Sequence, residues 1–308
     1  MVHVGVAVGA VGIGEPLPAL DRDPEVVERQ GACLAQEHVD VVSEGGLRPG
    51  HDEIRATSLL GSVVVENLVS TVTWVMLVTS IMSASAVFEL PPKLWPDTPD
   101  WDGYRRLFDQ IPMAVYFGNS ILVAVVTTAG HVLCCAMAGY AFSRMRFPYK
   151  NVIFFFFLIT LMVPPQVNIV PLFFLMKEFR WIDTYWALIV PALFGAFGVF
   201  LMRQWFNGLP RDLEDAARID GCNPWQIFIR VALPLATPAL SALAIFVFIG
   251  SWNSFMWPLI VTNADAMRTL PVGIAALKSS FTDIIDWPML MAASTLSVIP
   301  VIILFLIG

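Results

Sequence analysis

The side chains able to do chemistry are few and unevenly spread along this 308-residue chain. Their densest run is DLEDAARIDGCNPWQIFIRVALPLATPAL, residues 212–240, where Asp212, Glu214 and Asp215 stand together ahead of Arg218, Asp220 and Arg230. Carboxylates in the first turn of a helix are favoured by the positive end of its dipole. No nucleophile–base pair accompanies them, which leaves catalysis without its groups. His131 stands alone inside an apolar run and reads as a packed helical residue. Cys134 and Cys135 are neighbours in the same run, while Cys33 and Cys222 are isolated, which fits no metal site. No Gly-rich phosphate loop is present, so any ATP and Mg are held by another chain. No basic patch suits nucleic acid.

The elements that must position these groups are punctuated explicitly. Pro210 suits the first position of a helix, Gly221 its C-terminal turn, Asn223 the cap of a second helix and Pro224 the residue after that cap. Pro234 is expected to end the second helix, with Thr237 and Pro238 opening the next. Leu213, Ala216 and Ala217 give the first helix a small apolar side. Trp225, Phe228, Ile229 and Ala232 fall at i, i+3, i+4 and i+7, one stripe of the second. The pair is expected to bury that side and present the acidic one. An ordinary loop resting on a helical bundle would satisfy the same pattern.

The surroundings are apolar. The chain is 57% hydrophobic and only 14% charged, against about 25% charged for soluble domains. Residues 110–143, 151–176, 184–202, 231–264 and 288–308 contain no Asp, Glu, Lys or Arg. A bilayer core needs about 20 apolar residues per helix, and helices satisfy their own backbone there. The expectation is an all-α integral membrane protein with six transmembrane helices: 62–82, 115–142, 152–176, 184–204, 237–261 and 288–308. Glu66 in the first would lie near an interface. Pro164, Pro165 and Pro171 should bend or break the third. Trp252, Trp257 and Trp287 suit an aromatic belt around the connector 262–287. Arg144, Arg146 and Lys150 in the short loop 143–150 favour a cytoplasmic position for it. Residues 1–57 differ from the rest. They read as a poorly ordered acidic extension, whose start need not be authentic, ahead of a permease domain over 58–308.

Asp215-Ala216-Ala217, then Gly221, then Val231-x-Leu233-Pro234 resembles the EAA loop of ABC importer permeases, with Asp in place of Glu and Val in place of Ile. Further stretches agree with the carbohydrate-uptake branch, among them GYAFSRMRFP (139–148), LMVPPQVNIVPLF (161–173) and GSWNSFMWPL (250–259). The chain from about residue 70 onward resembles the second permease subunit of maltose-type importers. The resemblance implies a type I ABC importer permease fold with a cytoplasmic two-helix coupling element at 207–236, in the plasma (inner) membrane. It implies a second permease subunit, two ATP-binding subunits and an extracytoplasmic solute-binding protein as partners. Asp215 would pair with a basic residue of the ATPase, with Glu214 as the adjacent alternative. Gly221 would make the turn, and Trp225 and Phe228 would be anchors. The loop 262–287 would reach toward the binding protein.

A sugar in transit would meet aromatic faces and amides. Candidates are Gln166 and Asn168 beside the Pro pair, and Trp252, Asn253 and Ser254 in the fifth span, residues that would equally serve helix packing. A glycerol-3-phosphate or other polyol importer fits the same pattern. An ion-coupled secondary transporter would need charged groups within its spans, and the second to sixth spans hold none apart from Arg203 at the end of the fourth.

Overall fold

The computed structural model describes residues 70–89, 95–96, 98–280 and 286–307. The expected extension 1–57, Glu66 and the start of the first span lie outside them. The described residues form helices and connecting turns. In chain order these are α1 Ser70–Ser80, α2 Asp102–Gln110, α3 Met113–Arg144, α4 Lys150–Met162, α5 Pro165–Glu178, α6 Tyr185–Ala192 and α7 Ala196–Gly208. Then follow α8 Asp212–Ile219, α9 Pro224–Leu235, α10 Thr237–Trp252, α11 Met256–Val261, α12 Leu270–Ser280 and α13 Trp287–Ile307.

The 32-residue α3 is the spine, packed along its length on α7 and α10. Its C-terminal half shares a core with α7, α9 and α10: Cys135, Tyr140, Met202, Phe206, Phe228 and Leu243. Its N-terminal half meets α2, α12 and α13 through Met113, Tyr116, Leu270 and Met289. Large apolar side chains remain on the outer faces, for example Phe155, Phe156, Phe174 and Phe246. In water they would be a liability, whereas in lipid they are the required surface.

Among the described residues, α3 and α13 are the single helices long and apolar enough to cross a membrane; the others that could do so are bent pairs. The α4–α5 pair turns by 96° at Val163–Pro164, as the prolines led one to expect. The α6–α7 pair turns by 41°. The fifth span differs from expectation, because it stops at Trp252 and restarts at Met256. Pro258 explains this: it has no N–H for the Ser254 carbonyl, and its ring would collide with that carbonyl in a continuous helix. The connector 262–287 differs too. It holds α12, whose Leu270, Val272 and Leu277 are buried against the bundle. Asn119 of α3 fastens the start of this stretch by donating to the carbonyls of Ala266 and Arg268, both at 2.9 Å. Ser120 Oγ accepts from the Leu270 N–H at 2.7 Å. Trp252 joins no aromatic belt. It is 2% exposed, with its Nε1 donating to the Ser297 carbonyl.

Candidate functional site

Two places gather the residues singled out above: the α8–α9 pair and a cavity between α3, α5, α6 and α10. Asp212, Glu214 and Asp215 fill the first turn of α8 and Arg218 its last, so both ends match the dipole. Pro210 lies ahead of the cap residue Arg211, not at the first helical position, because the chain arrives from Leu209 in an extended conformation. The C-terminal turn closes with Cys222 N–H on the Ala217 carbonyl and Gly221 N–H on that of Arg218. This Schellman closure needs a left-handed residue, and Gly221 supplies it at φ +82°. Asn223 then caps α9 reciprocally: its side chain accepts from Gln226 N–H at 2.8 Å, and Gln226 Oε1 accepts from Asn223 N–H at 2.9 Å.

Pro234 does not end α9. Residues Phe228–Ala232 form a π-turn and the helix continues through Leu233–Leu235. The wider turn gives the Arg230 carbonyl room beneath the proline ring, which an α-turn would not. It also rotates the buried stripe. Ile227, Phe228, Ala232 and Ala236 face the core, while Trp225 and Ile229 are exposed. Phe228 packs on Tyr140, with ring centroids 5.1 Å apart, so it anchors α9 to α3 and is closed to any partner. At Ala236 the chain turns by 76° into α10.

The acidic residues divide. Glu214 is 5% exposed and points inward, its Oε1 2.8 Å from Arg144 Nε at the end of α3. Arg144 Nη2 also donates to the Leu209 carbonyl at 2.6 Å. Glu214 is therefore an internal tie and not an alternative to Asp215. Asp215 faces solvent, with only Arg218 beside it at 2.9 Å. Ala217 is buried but Ala216 and Leu213 are exposed, so the small apolar side of α8 is split. Ile219 is 87% and Trp225 57% exposed. The outer surface of the pair thus carries the exposed carboxylates of Asp212, Asp215 and Asp220 among uncovered apolar groups.

The cavity encloses about 630 Å³, within the range of about 300–1,000 Å³ usual for small-ligand sites. Three of the helix breaks converge on it: Pro165 and Gln166, Ala192 and Phe194, Ser254 and Phe255 all line it. Broken backbone at membrane depth is tolerated where it lines a cavity. Gln166 and Ser254 are therefore brought together. Asn168 and Asn253 are exposed outside the lining, and Trp252 belongs to the packed core. Sequence reasoning passed over Ser120, Thr127 and His131, which repeat along one face of α3, and Thr269. Their spacing of seven and four residues was the available signal. His131 Nδ1 lies 2.7 Å from the Ala192 carbonyl. A carbonyl only accepts, so Nδ1 carries the proton. The ring rests on Gly198, where a Cβ would come within 2.9 Å of Nε2.

Residues 130–308 match the model of the binding-protein-dependent transport system inner membrane component family. The chain belongs to that family. This permease subunit is 39% identical over 212 residues to the arabinooligosaccharides transport system permease protein AraQ of Halalkalibacterium halodurans, covering 68% of this chain and 75% of AraQ. It is 32% identical over 233 residues to the sn-glycerol-3-phosphate transport system permease protein UgpE of Yersinia enterocolitica, covering 74% and 83%. Its fold is similar to a chain of a bacterial ABC transporter involved in the import of the acidic polysaccharide alginate, with TM-score 0.73 and 23% identity over 82% of this chain and 95% of that one. The family member is a non-catalytic membrane component of an importer, in which ATP is hydrolysed by a partner chain.

Proposed function

We propose that this permease subunit forms the translocation path of an ATP-driven, binding-protein-dependent carbohydrate importer together with a second permease. Its six-span permease domain covers 58–308, and α8–α9 is the cytoplasmic coupling element of 207–236. One observation carries the reading. A rigidly capped helix pair, tied inward by Glu214 and Phe228, leaves Asp215, Ile219 and Trp225 uncovered on a chain otherwise built for lipid. Such a surface fits a soluble partner with a basic residue in a partly apolar cleft, as an ATP-binding subunit carrying ATP and Mg would offer. Two such subunits and an extracytoplasmic solute-binding protein complete the assembly. The identity to UgpE favours a second reading, a phosphorylated polyol as the solute.

Ile219→Cys in a Cys222→Ser background tests the orientation and the contact. A membrane-impermeant maleimide should label it in inverted vesicles and not in right-side-out cells, and co-expressed ATP-binding subunits should protect it. Labelling from outside the cell, or labelling indifferent to those subunits, defeats the reading.

A further inference from the structure

A second cleft, of about 900 Å³, lies between the end of α3, the loop that follows it and α8. Five cations line it, Arg144, Arg146, Lys150, Arg211 and Arg218, against two carboxylates, Glu214 and Asp215. Both carboxylates are spent inside the chain, Glu214 on Arg144 and Asp215 on Arg218. Asp212 and Asp220 are exposed and lie outside the lining. Lys150 Nζ donates to the Ser143 and Met145 carbonyls at 2.9 and 3.0 Å, which offsets the negative end of the α3 dipole. Arg146 and Arg211 are exposed and form no hydrogen bond or ion pair among the described residues. The lining therefore holds three positive charges in excess, and two of its guanidinium groups are wholly unengaged.

Guanidinium forks match phosphate oxygens in pairs, so the ligand chemistry is a phosphate group. The flank of the cleft decides its source. Met145 and Tyr149 of the loop are exposed, as are Val152, Ile153, Phe155 and Phe156 in the first two turns of α4. Water is a poor cover for such a flank and acyl chains are a good one. Lys150 opens α4, and Phe156 lies about 9 Å further along it at 1.5 Å per residue. Charge and apolar surface thus follow each other over the length at which a phospholipid passes from headgroup to acyl chain. A free phosphate would use the cations and leave the flank bare. We propose that this cleft binds the headgroup of an anionic phospholipid, held by Arg146 and Arg211, with its acyl chains along α4. The inference rests on the cytoplasmic placement of α8 read above, the side on which basic pockets between helices meet anionic headgroups. Arg146 belongs to the loop after α3, and Arg211 is the cap residue of α8. One bound phosphate therefore fastens α8 to the membrane surface.

Native mass spectrometry of the complete importer, titrated with phosphatidylglycerol or phosphatidylcholine, gives the affinity for each. Phosphatidylglycerol should bind more tightly. Arg146→Gln with Arg211→Gln should weaken phosphatidylglycerol about thirtyfold and leave phosphatidylcholine unchanged. Arg146→Lys with Arg211→Lys keeps the charge and should keep most of the affinity. Arg230→Gln removes an exposed cation outside the cleft and should change neither lipid. Equal affinity for the two lipids, or phosphatidylglycerol affinity within about threefold of wild type in the glutamine variant, overturns the proposal. Displacement of phosphatidylglycerol by inorganic phosphate at equal concentration overturns it in favour of a free anion. Loss of the ATP-binding subunits from the glutamine variant overturns it in favour of an acidic segment of that partner. Ile219→Cys labelled from outside the cell overturns the cytoplasmic placement of α8 instead, and the affinities still decide the lipid site.

Discussion

Glu214→Ala should loosen α8–α9, the proposed coupling element, from α3. The Arg144 and Glu214 side chains are 6% and 7% exposed, with Nε and Oε1 2.8 Å apart. Deleting the carboxylate leaves a buried guanidinium with the Leu209 carbonyl as its remaining anchor. Removing one partner of a buried ion pair costs about 3–5 kcal/mol. A polar cleft of about 900 Å³ opens beside the pair, lined also by Arg146, Lys150 and Arg211. Water there can reach the bared charge, and the added cations repel it. These effects oppose each other, so we take about 3 kcal/mol, the lower end of the range. Replacing both residues by apolar ones of similar size, Arg144→Met with Glu214→Leu, removes the charge and the penalty together and should be roughly neutral.

Amide hydrogen exchange of the assembled importer measures this locally. In Glu214→Ala the α8 amides should exchange about a hundredfold faster, the equivalent of about 3 kcal/mol. Amides in the middle of α3 should not change, and the apolar double variant should return α8 close to wild-type protection. If α8 exchange in Glu214→Ala stays within about threefold of wild type, the buried pair is not what holds α8 to α3.

Gly221→Pro should abolish solute uptake and stimulated ATPase while membrane insertion persists, because proline cannot adopt φ +82°. Gly221→Ala, with open space around the site, should cost only about 1–2 kcal/mol and keep partial uptake; equal uptake by the two variants would contradict the backbone argument. Asp183 accepts hydrogen bonds from the backbone N–H groups of Asn263 and Ala264 and from the Asn263 side chain. Partial burial pushes its carboxyl up, but those three donors outweigh it and hold it below the usual carboxylate range. A depressed folded value means the stabilisation is complete above the unfolded pKa of about 3.9 and fades as pH falls through the folded value. Thermal midpoints of wild type and Asp183→Asn should therefore differ at pH 7 and converge toward pH 3, and a gap independent of pH would refute the assignment.

The uncharged runs were legible because missing charge is a bulk property of a segment. Residues 110–143 became α3 and 288–308 became α13, and the Pro-marked run 151–176 broke at its prolines. The direction of single side chains was not legible. Glu214 and Asp215 are adjacent acids, separated on the helix only by the rotation of one residue. Which one turns inward is decided by Arg144, seventy positions earlier in the chain. The π-turn likewise answers to Pro234 and α10, and it moves the buried stripe off the residues that an ideal helical period selects. Thr127 and His131 were hidden for the opposite reason. One hydroxyl and one imidazole in an apolar helix look like packing until three broken helices meet in front of them.

That convergence gives the proposed coupling element a route to the cavity. α9 is joined to α10 by a 76° corner at the fully buried Ala236, stiffened by Thr237 Oγ1 on the Pro234 carbonyl at 2.6 Å. From there α10 runs 16 residues without a break, about 24 Å at 1.5 Å per residue, and ends at the turn that brings Ser254 and Phe255 to the cavity wall. A corner that resists opening turns displacement of α9 into tilt of α10, and tilt is largest at the far end of a lever. The near end cannot absorb the motion, because Phe228, Ala232, Ala236 and Leu243 are packed into one core with α3 and α7. The compliant points are then the breaks themselves, at 163–164, 193–195 and 253–255, where few helical hydrogen bonds must be lost for the chain to bend. Force applied at Asp215 and Trp225 would thus be spent on reshaping the solute cavity and not on unfolding the helices between.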